Sequence, residues 1–215
     1  MGVAERKARE KLARQQAILD AARECFFKDG FEATTISQIA QNVELSTGTL
    51  YLYFKNKEEI YVSILEEGLD ILYALMKDSE RPGMTPSELL EGYANAYHRF
   101  YTDYGQYFDI MFFLRRPDKE VELQGDLEQK LEHQTGRCLG LVESAIRDGT
   151  SAGEFRHVDP HEATRVVWAT MNGLMVLHEK RTEEITTQRL PKLIEVAISM
   201  LLDGLKVERA PASSR

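Results

Sequence analysis

The chain has 215 residues, 43% hydrophobic and 29% charged, which allows a sizeable core and argues against a disordered protein. No apolar run approaches the ~18 residues that cross a bilayer, and MGVAERKAREKLARQQ has no apolar stretch behind its charges, so neither a membrane span nor a secretory signal is expected. Net charge is −8 but uneven: residues 1–57 hold nine Lys/Arg against seven Asp/Glu, the rest 18 against 28, and a more basic N-terminal end on an acidic body suggests that this end faces a polyanion.

In chain order, residues 1–14 form a basic arm with Arg6, Lys7, Arg9, Lys11 and Arg14. Ile18, Ala21, Ala22, Cys25 and Phe26 then recur at three- and four-residue spacing and predict a helix that Asp29-Gly30 stops. Thr35-x-x-Gln38 is a capping box opening a short helix through Val43. After a turn at Glu44-Leu45 comes STGTLYLYFKNK, residues 46–57. Its five consecutive apolar or aromatic residues, Leu50 to Phe54, suit a buried strand by propensity. On a helix, however, Leu50 and Phe54 fall together and face inward, while Gly48, Thr49 and Leu52 project away with Tyr51 and Tyr53 at the flanks. Ser46 is a natural N-cap for that helix. Two short helices joined by a tight turn make a helix-turn-helix.

Asn56-x-x-Glu59 opens a longer helix bearing Tyr61, Ile64, Leu65, Leu72, Leu75 and Met76, and Arg81-Pro82-Gly83 breaks the chain. Thr85-Pro86-x-Glu88 and Asp159-Pro160-x-Glu162 each combine a cap, a Pro at the first helical position and an acid. A last helix is expected from about Gln188 to Lys206. With no convincing strand, hairpin turn or repeat, the expected fold class is all-α. Its divisions are a three-helix domain over residues 1–57, a connecting helix over 58–79, a larger helical domain over 80–208 and a frayed tail over 209–215.

A recognition helix enters the major groove with its N-terminal residues at the base edges, where small or hydroxylated groups approach closely. Thr47, Gly48 and Thr49 meet that need, and Leu52 suits a thymine methyl. Tyr51 and Tyr53 offer phenols to phosphate oxygens, and Lys57 adds a positive charge. From about Ala17 to Leu65 the sequence resembles the DNA-binding domain of the TetR family of transcriptional regulators. The likeness is carried by Gly48-Thr49-Leu50-Tyr51-Leu52-Tyr53-Phe54 with Lys57, and by the small residue Ala40. Position 53, often His in that family, is Tyr here. The resemblance implies backbone contacts from Thr35, Ser46, Thr49, Tyr51, Tyr53 and Lys57, and groove contacts from Thr47, Gly48 and Leu52. A weaker likeness runs from Gly153-Glu154-Phe155-Arg156 through Asp159-Pro160 to Asn172-Gly173.

The resemblance further implies a ligand-sensing, dimerising body after residue 80. Residues 93–113 hold nine of the chain's 19 aromatic residues, five of them phenols, a density that favours an apolar cavity with a few hydroxyl donors. Tyr97, Phe100, Tyr101, Phe108, Met111 and Phe112 are expected to line it, with Trp168 and Met171 opposite and a hydrophobic or aromatic small molecule as effector. Arg115-Arg116 could pair with an anionic group. Val167, Leu174 and Leu177, with Ile194, Ile198 and Leu201, are expected in a homodimer interface, which implies a palindromic duplex operator. A ligand-relieved repressor working in the cytoplasm is the expectation, with no cofactor and no metal. Cys25 reads as core, while nothing assigns Cys138. Two rivals stand beside this reading. One is a helical module that binds protein rather than DNA. The other is a hydrolase using Ser151 of Gly149-Thr150-Ser151-Ala152-Gly153, whose nucleophile elbow demands a preceding strand.

Overall fold

A computed structural model describes residues 2–113, 125–179 and 189–207. The helices found among them are α1 (Val3–Ala33), α2 (Ile36–Asn42), α3 (Thr47–Leu50), α4 (Lys57–Ser79), α5 (Pro86–Asp103), α6 (Gly105–Phe113), α7 (Asp126–Ser151), α8 (Pro160–Glu179) and α9 (Leu190–Leu205). Beside the helices the described residues hold one isolated antiparallel bridge, Phe155 with Lys206. The fold is all-α, as expected. The tail over 209–215 and the Arg115-Arg116 pair lie outside the described residues.

Local chemistry explains the helix ends. Gly30 leaves the helical region at φ 79°, ψ 164°, a conformation that a Cβ would strain. The Thr34 N–H and hydroxyl then both bond the Gly30 carbonyl, at 3.3 and 2.8 Å. At the start of α2, Thr35 Oγ1 accepts the Gln38 N–H while Gln38 Oε1 accepts the Thr35 N–H, a complete capping box. Its far end is a Schellman turn. The Leu45 N–H reaches the Ala40 carbonyl at 2.8 Å and the Glu44 N–H reaches Gln41 at 3.1 Å, with Glu44 itself at φ 54°. Thr85 with Glu88 and Asp159 with Glu162 cap α5 and α8 as their spacing predicts.

The chain divides into two compact units, Met1–Asp70 with Tyr104–Gln134 and Ile71–Asp103 with Thr135–Arg215. The division falls inside α4 and α7 rather than at residues 57 and 80. In the first unit Ile18, Ala22 and Phe26 of α1 pack with Ile39 and Ala40 of α2, Leu50 of α3, Ile64 and Leu65 of α4, and Ile110 of α6. The rings of Phe26, Phe31 and Tyr61 meet at centroid distances of 4.8 to 5.6 Å, and the Tyr61 hydroxyl donates to the Ile110 carbonyl. Cys25 is buried in this core, where burial pushes its thiol pKa up. In the second unit α9 packs against both α5 and α8.

Candidate nucleic-acid interface and an apolar cavity

The segment after Ser46 is coiled, not extended. Ser46 Oγ accepts the Thr49 N–H at 3.0 Å and shares a 2.8 Å hydrogen bond with the Thr49 hydroxyl. The Leu50 and Tyr51 N–H groups then bond four residues back. From Leu52 the coil tightens, with Leu52 N–H on the Thr49 carbonyl and Tyr53 N–H on Leu50. Regular α-helix therefore ends at Leu50, short of the expected Phe54, and the turn carries on to Phe54. Leu50 and Phe54 point into the core, at 0% and 5% exposure. The opposite side is open: Ser46, Thr47 and Gly48 are exposed, Tyr51 is 53% exposed and Leu52 77%. A methyl on Gly48 would meet nothing closer than Ser46 Oγ at 3.8 Å, so this surface is not covered by the chain's first unit. Thr35 is exposed at the α2 cap, and Tyr53 is half-buried against the core.

Lys57 is placed differently from expectation. Its ammonium donates to the carbonyls of Phe31 and Thr34 at 2.7 and 2.9 Å and lies 4.2 Å from the centre of the Phe31 ring. The break at Gly30 leaves carbonyls without helical partners, and Lys57 satisfies them. The charge thus clamps the end of α1 to the start of α4 instead of standing free for phosphate. Lys57→Met is accordingly expected to lower stability by about 2 kcal/mol, the scale of hydrogen bonds from a charged donor, with the salt dependence of duplex binding unchanged. A variant of normal stability whose log–log salt slope drops by about one would put this ammonium on a phosphate after all. Lys55, exposed beside it, was not singled out in the sequence.

Residues 4–14 of the basic arm are helical and exposed. They continue α1, which runs antiparallel to α4: Phe31 meets Lys57, Phe26 meets Tyr61, and Gln16 and Arg23 both bond Glu67. That register carries residues 4–14 toward the end of α1 far from the recognition turn.

In the second unit a small apolar cavity of about 30 Å³ lies between α4, α5, α7 and α8. Of the residues expected around a pocket, Tyr97, Trp168 and Met171 lie in its wall, and the Tyr97 and Trp168 rings meet edge to face at 5.2 Å. Leu90, Tyr93 and Ala94 join Tyr97 from the same face of α5; the i, i+3, i+4, i+7 spacing was the signal for them. Met76, Cys138, Leu139, Val142 and Thr164 complete the wall, and no local pattern marks them. Four expected lining residues lie elsewhere. Phe108 and Met111 belong to the first unit, where Met111 packs on its core. Phe100 is fully buried and Tyr101 shares a 2.6 Å hydrogen bond with His178 Nδ1. The Phe112 side chain is outside the described residues.

The expected interface set also divides. Val167 lines the cavity. Ile194 and Ile198 are buried within their own chain, at 3% and 7% exposure, because α9 turns them toward α5. Leu174 and Leu201 are half-buried and Leu177 is exposed. The large apolar residues left exposed are Val166 and Leu177 on α8 and Val196 and Met200 on α9. Ser151 ends a helix with no strand before it, so the strained turn of a serine nucleophile is missing.

Residues 18–64 match the family model described as bacterial regulatory proteins, tetR family. The HTH-type transcriptional regulator RutR of Escherichia coli (strain K12) is 29% identical over 168 residues, covering 77% of this chain and 75% of that protein. The fold is similar to that of the TetR family transcriptional regulator PfmR from Thermus thermophilus, with TM-score 0.68, 26% identity, and 90% of this chain and 96% of that one covered. It is also similar to that of FadR from Bacillus subtilis, solved in complex with stearoyl-CoA. There the TM-score is 0.72 and the identity 21%, over 88% of this chain and 98% of the other.

Proposed function

The chain belongs to the tetR family of bacterial regulatory proteins, a DNA-binding transcriptional regulator and not an enzyme, and from that premise we propose that it is a cytoplasmic repressor. It binds a palindromic operator as a homodimer and is released by an apolar small molecule in the cavity of the second unit. The observation that carries this reading is the open side of the Ser46–Tyr53 coil. Thr47 and Gly48 stand at its start, where a major groove is read, and a Leu 77% exposed follows one turn on. Thr35, Ser46, Thr49, Tyr51 and Tyr53 are assigned to the sugar–phosphate backbone around it. The effector acts by population shift: it favours the dimer whose two coils no longer match the half-site spacing, to the extent of its differential affinity. The chain offers a short path for that shift. Helix α5, which bears Tyr93 and Tyr97, ends at Asp103, and α6 begins at Gly105. There Tyr107 accepts a 2.6 Å hydrogen bond from Arg23 of α1 and its ring rests on Gly68 of α4.

Selection of bound sequences from a random duplex pool at moderate salt tests the reading. An inverted repeat with half-site centres about one or more turns apart, roughly 34–36 Å each, is the expected product. Enrichment of nothing favours a protein partner instead.

The exposed residues Val166, Leu177, Val196 and Met200 supply the twofold contact, four helices meeting as two pairs. Met200 is 69% exposed within its own chain, so Met200→Glu should fold normally. It should weaken the dimer about 100-fold, because a pair interface then buries two unpaired carboxylates. Sedimentation velocity reads the outcome; an unshifted dimer would place the interface elsewhere.

A further inference from the structure

Resting on the reading of the cavity as the effector site, the geometry points to an uncharged effector, and to a site that takes neither an anion nor a cation, a coenzyme A thioester included. Among the described residues the wall contains no Lys, Arg, Asp or Glu. Its polar atoms already have partners inside the chain. The Tyr97 hydroxyl donates to Asn172 Oδ1 at 3.0 Å and the Thr164 hydroxyl to the Pro160 carbonyl at 2.7 Å. The Tyr93 hydroxyl donates to Glu80 at 2.9 Å, and that carboxylate is neutralised by Lys77. Burial and the Glu80 carboxylate push the Tyr93 phenol well above its ordinary range, so it remains a neutral donor. Among the described residues no buried side-chain nitrogen or oxygen lacks a partner.

A charged group brought here would lose its hydration with no counter-ion to replace it, a penalty of several kcal/mol. An uncharged molecule needs only apolar contact and one hydrogen bond to a phenol oxygen that already donates. At about 30 Å³ the cavity is small as it stands, so a ligand enters it with movement of Met76 and Met171, side chains that adapt readily.

Trp168, the only tryptophan of the chain, lies in the wall and reports occupancy by its fluorescence. Titrating the full-length protein at pH 8 with 1-octanol, octanoate, octylammonium and octanoyl-CoA compares four charges on one chain length; 2-naphthol and 2-naphthoate repeat the comparison on a flat ring. The expected result is that the neutral member of at least one series saturates the signal, with each charged partner at least tenfold weaker. Octanoate should regain affinity about tenfold per pH unit as pH falls toward its carboxyl pKa. Ala94→Phe and, independently, Val142→Met should abolish or weaken neutral binding by filling the cavity. If a charged probe binds as tightly as its neutral partner, and both filling variants remove it, the effector site stands and its neutrality is overturned. If no probe binds, or binding ignores both variants, the cavity itself is not the effector site.

Discussion

Leu52→Glu is expected to leave the melting temperature nearly unchanged and to weaken duplex binding about 100-fold or more at fixed salt. The two halves of that expectation have separate causes. Leu52 is 77% exposed and its main-chain N–H bonds the Thr49 carbonyl whatever the side chain, so the substitution removes little buried surface, and exposed positions usually change stability by under ~0.5 kcal/mol. Against DNA the same side chain would press a carboxylate into the field of the phosphates, and a like-charge contact across an interface costs several kcal/mol. Leu52→Ala separates contact from repulsion: it should lose about tenfold or less and relax base preference at one position, as expected when only a thymine methyl contact is removed. Fluorescence anisotropy with the selected operator and with a scrambled duplex provides both readings. Operator affinity unchanged in Leu52→Glu would remove the Ser46–Tyr53 coil from the interface altogether.

How far the sequence could reveal this site depends on the range of the interaction concerned. Capping operates over three residues, so Thr35-x-x-Gln38 and Ser46 were readable, and they decide that Leu50 to Phe54 coils although its propensities suit a strand. The fate of Lys57 was not readable, because its partners are carbonyls 26 and 23 residues away, exposed only by the break at Gly30. A positive charge after a recognition helix looks the same in sequence whether it meets phosphate or protein. The aromatic run from Tyr93 to Phe113 misled in another way. Density suggests one lining, yet α5 ends at Asp103 and α6 belongs to the other unit, where Tyr107 engages Arg23 and Ile110 joins the first core. Tyr104-Gly105 was the available break signal. On α9 the expected interface residues Ile194 and Ile198 share a side with Leu190 and Leu202 that the chain itself buries, Leu201 is half-buried, and the exposed apolar residues are Val196 and Met200, outside the expected set. Periodicity reveals that a helix has an apolar side, but not which neighbour covers it.

The largest stability effect is expected at Gly149→Ala, about 3 kcal/mol against the second unit. Gly149 lies within α7, and the single hydrogen it carries in place of Cβ is what lets the Phe155 ring lie against the helix; a methyl there would overlap Cδ2 and Cε2 of that ring. Two easier outcomes are closed. The ring cannot swing out, since Phe155 is 2% exposed. Its backbone cannot retreat either: the Glu154 and Phe155 N–H groups both bond the Gly149 carbonyl, at 2.9 and 3.0 Å. On either side, Arg156 N–H bonds the Leu205 carbonyl and Val207 N–H bonds the Glu154 carbonyl, tying the loop to the end of α9. Overpacking of a site that cannot relax costs about 1–3 kcal/mol, sometimes more, and a small loss of conformational entropy in the unfolded chain returns under ~1 kcal/mol of it. Urea unfolding followed by Trp168 fluorescence reads the second unit directly, because that residue lies in α8. The double variant Gly149→Ala with Phe155→Leu supplies the control. If steric conflict with the ring is the cause, the pair should be less destabilised than the sum of the two single changes by at least ~1 kcal/mol. Simple additivity, or a Gly149→Ala protein of unaltered stability, would mean that the ring has room to move and that the α7–Phe155 contact does not fix the loop leading into α8.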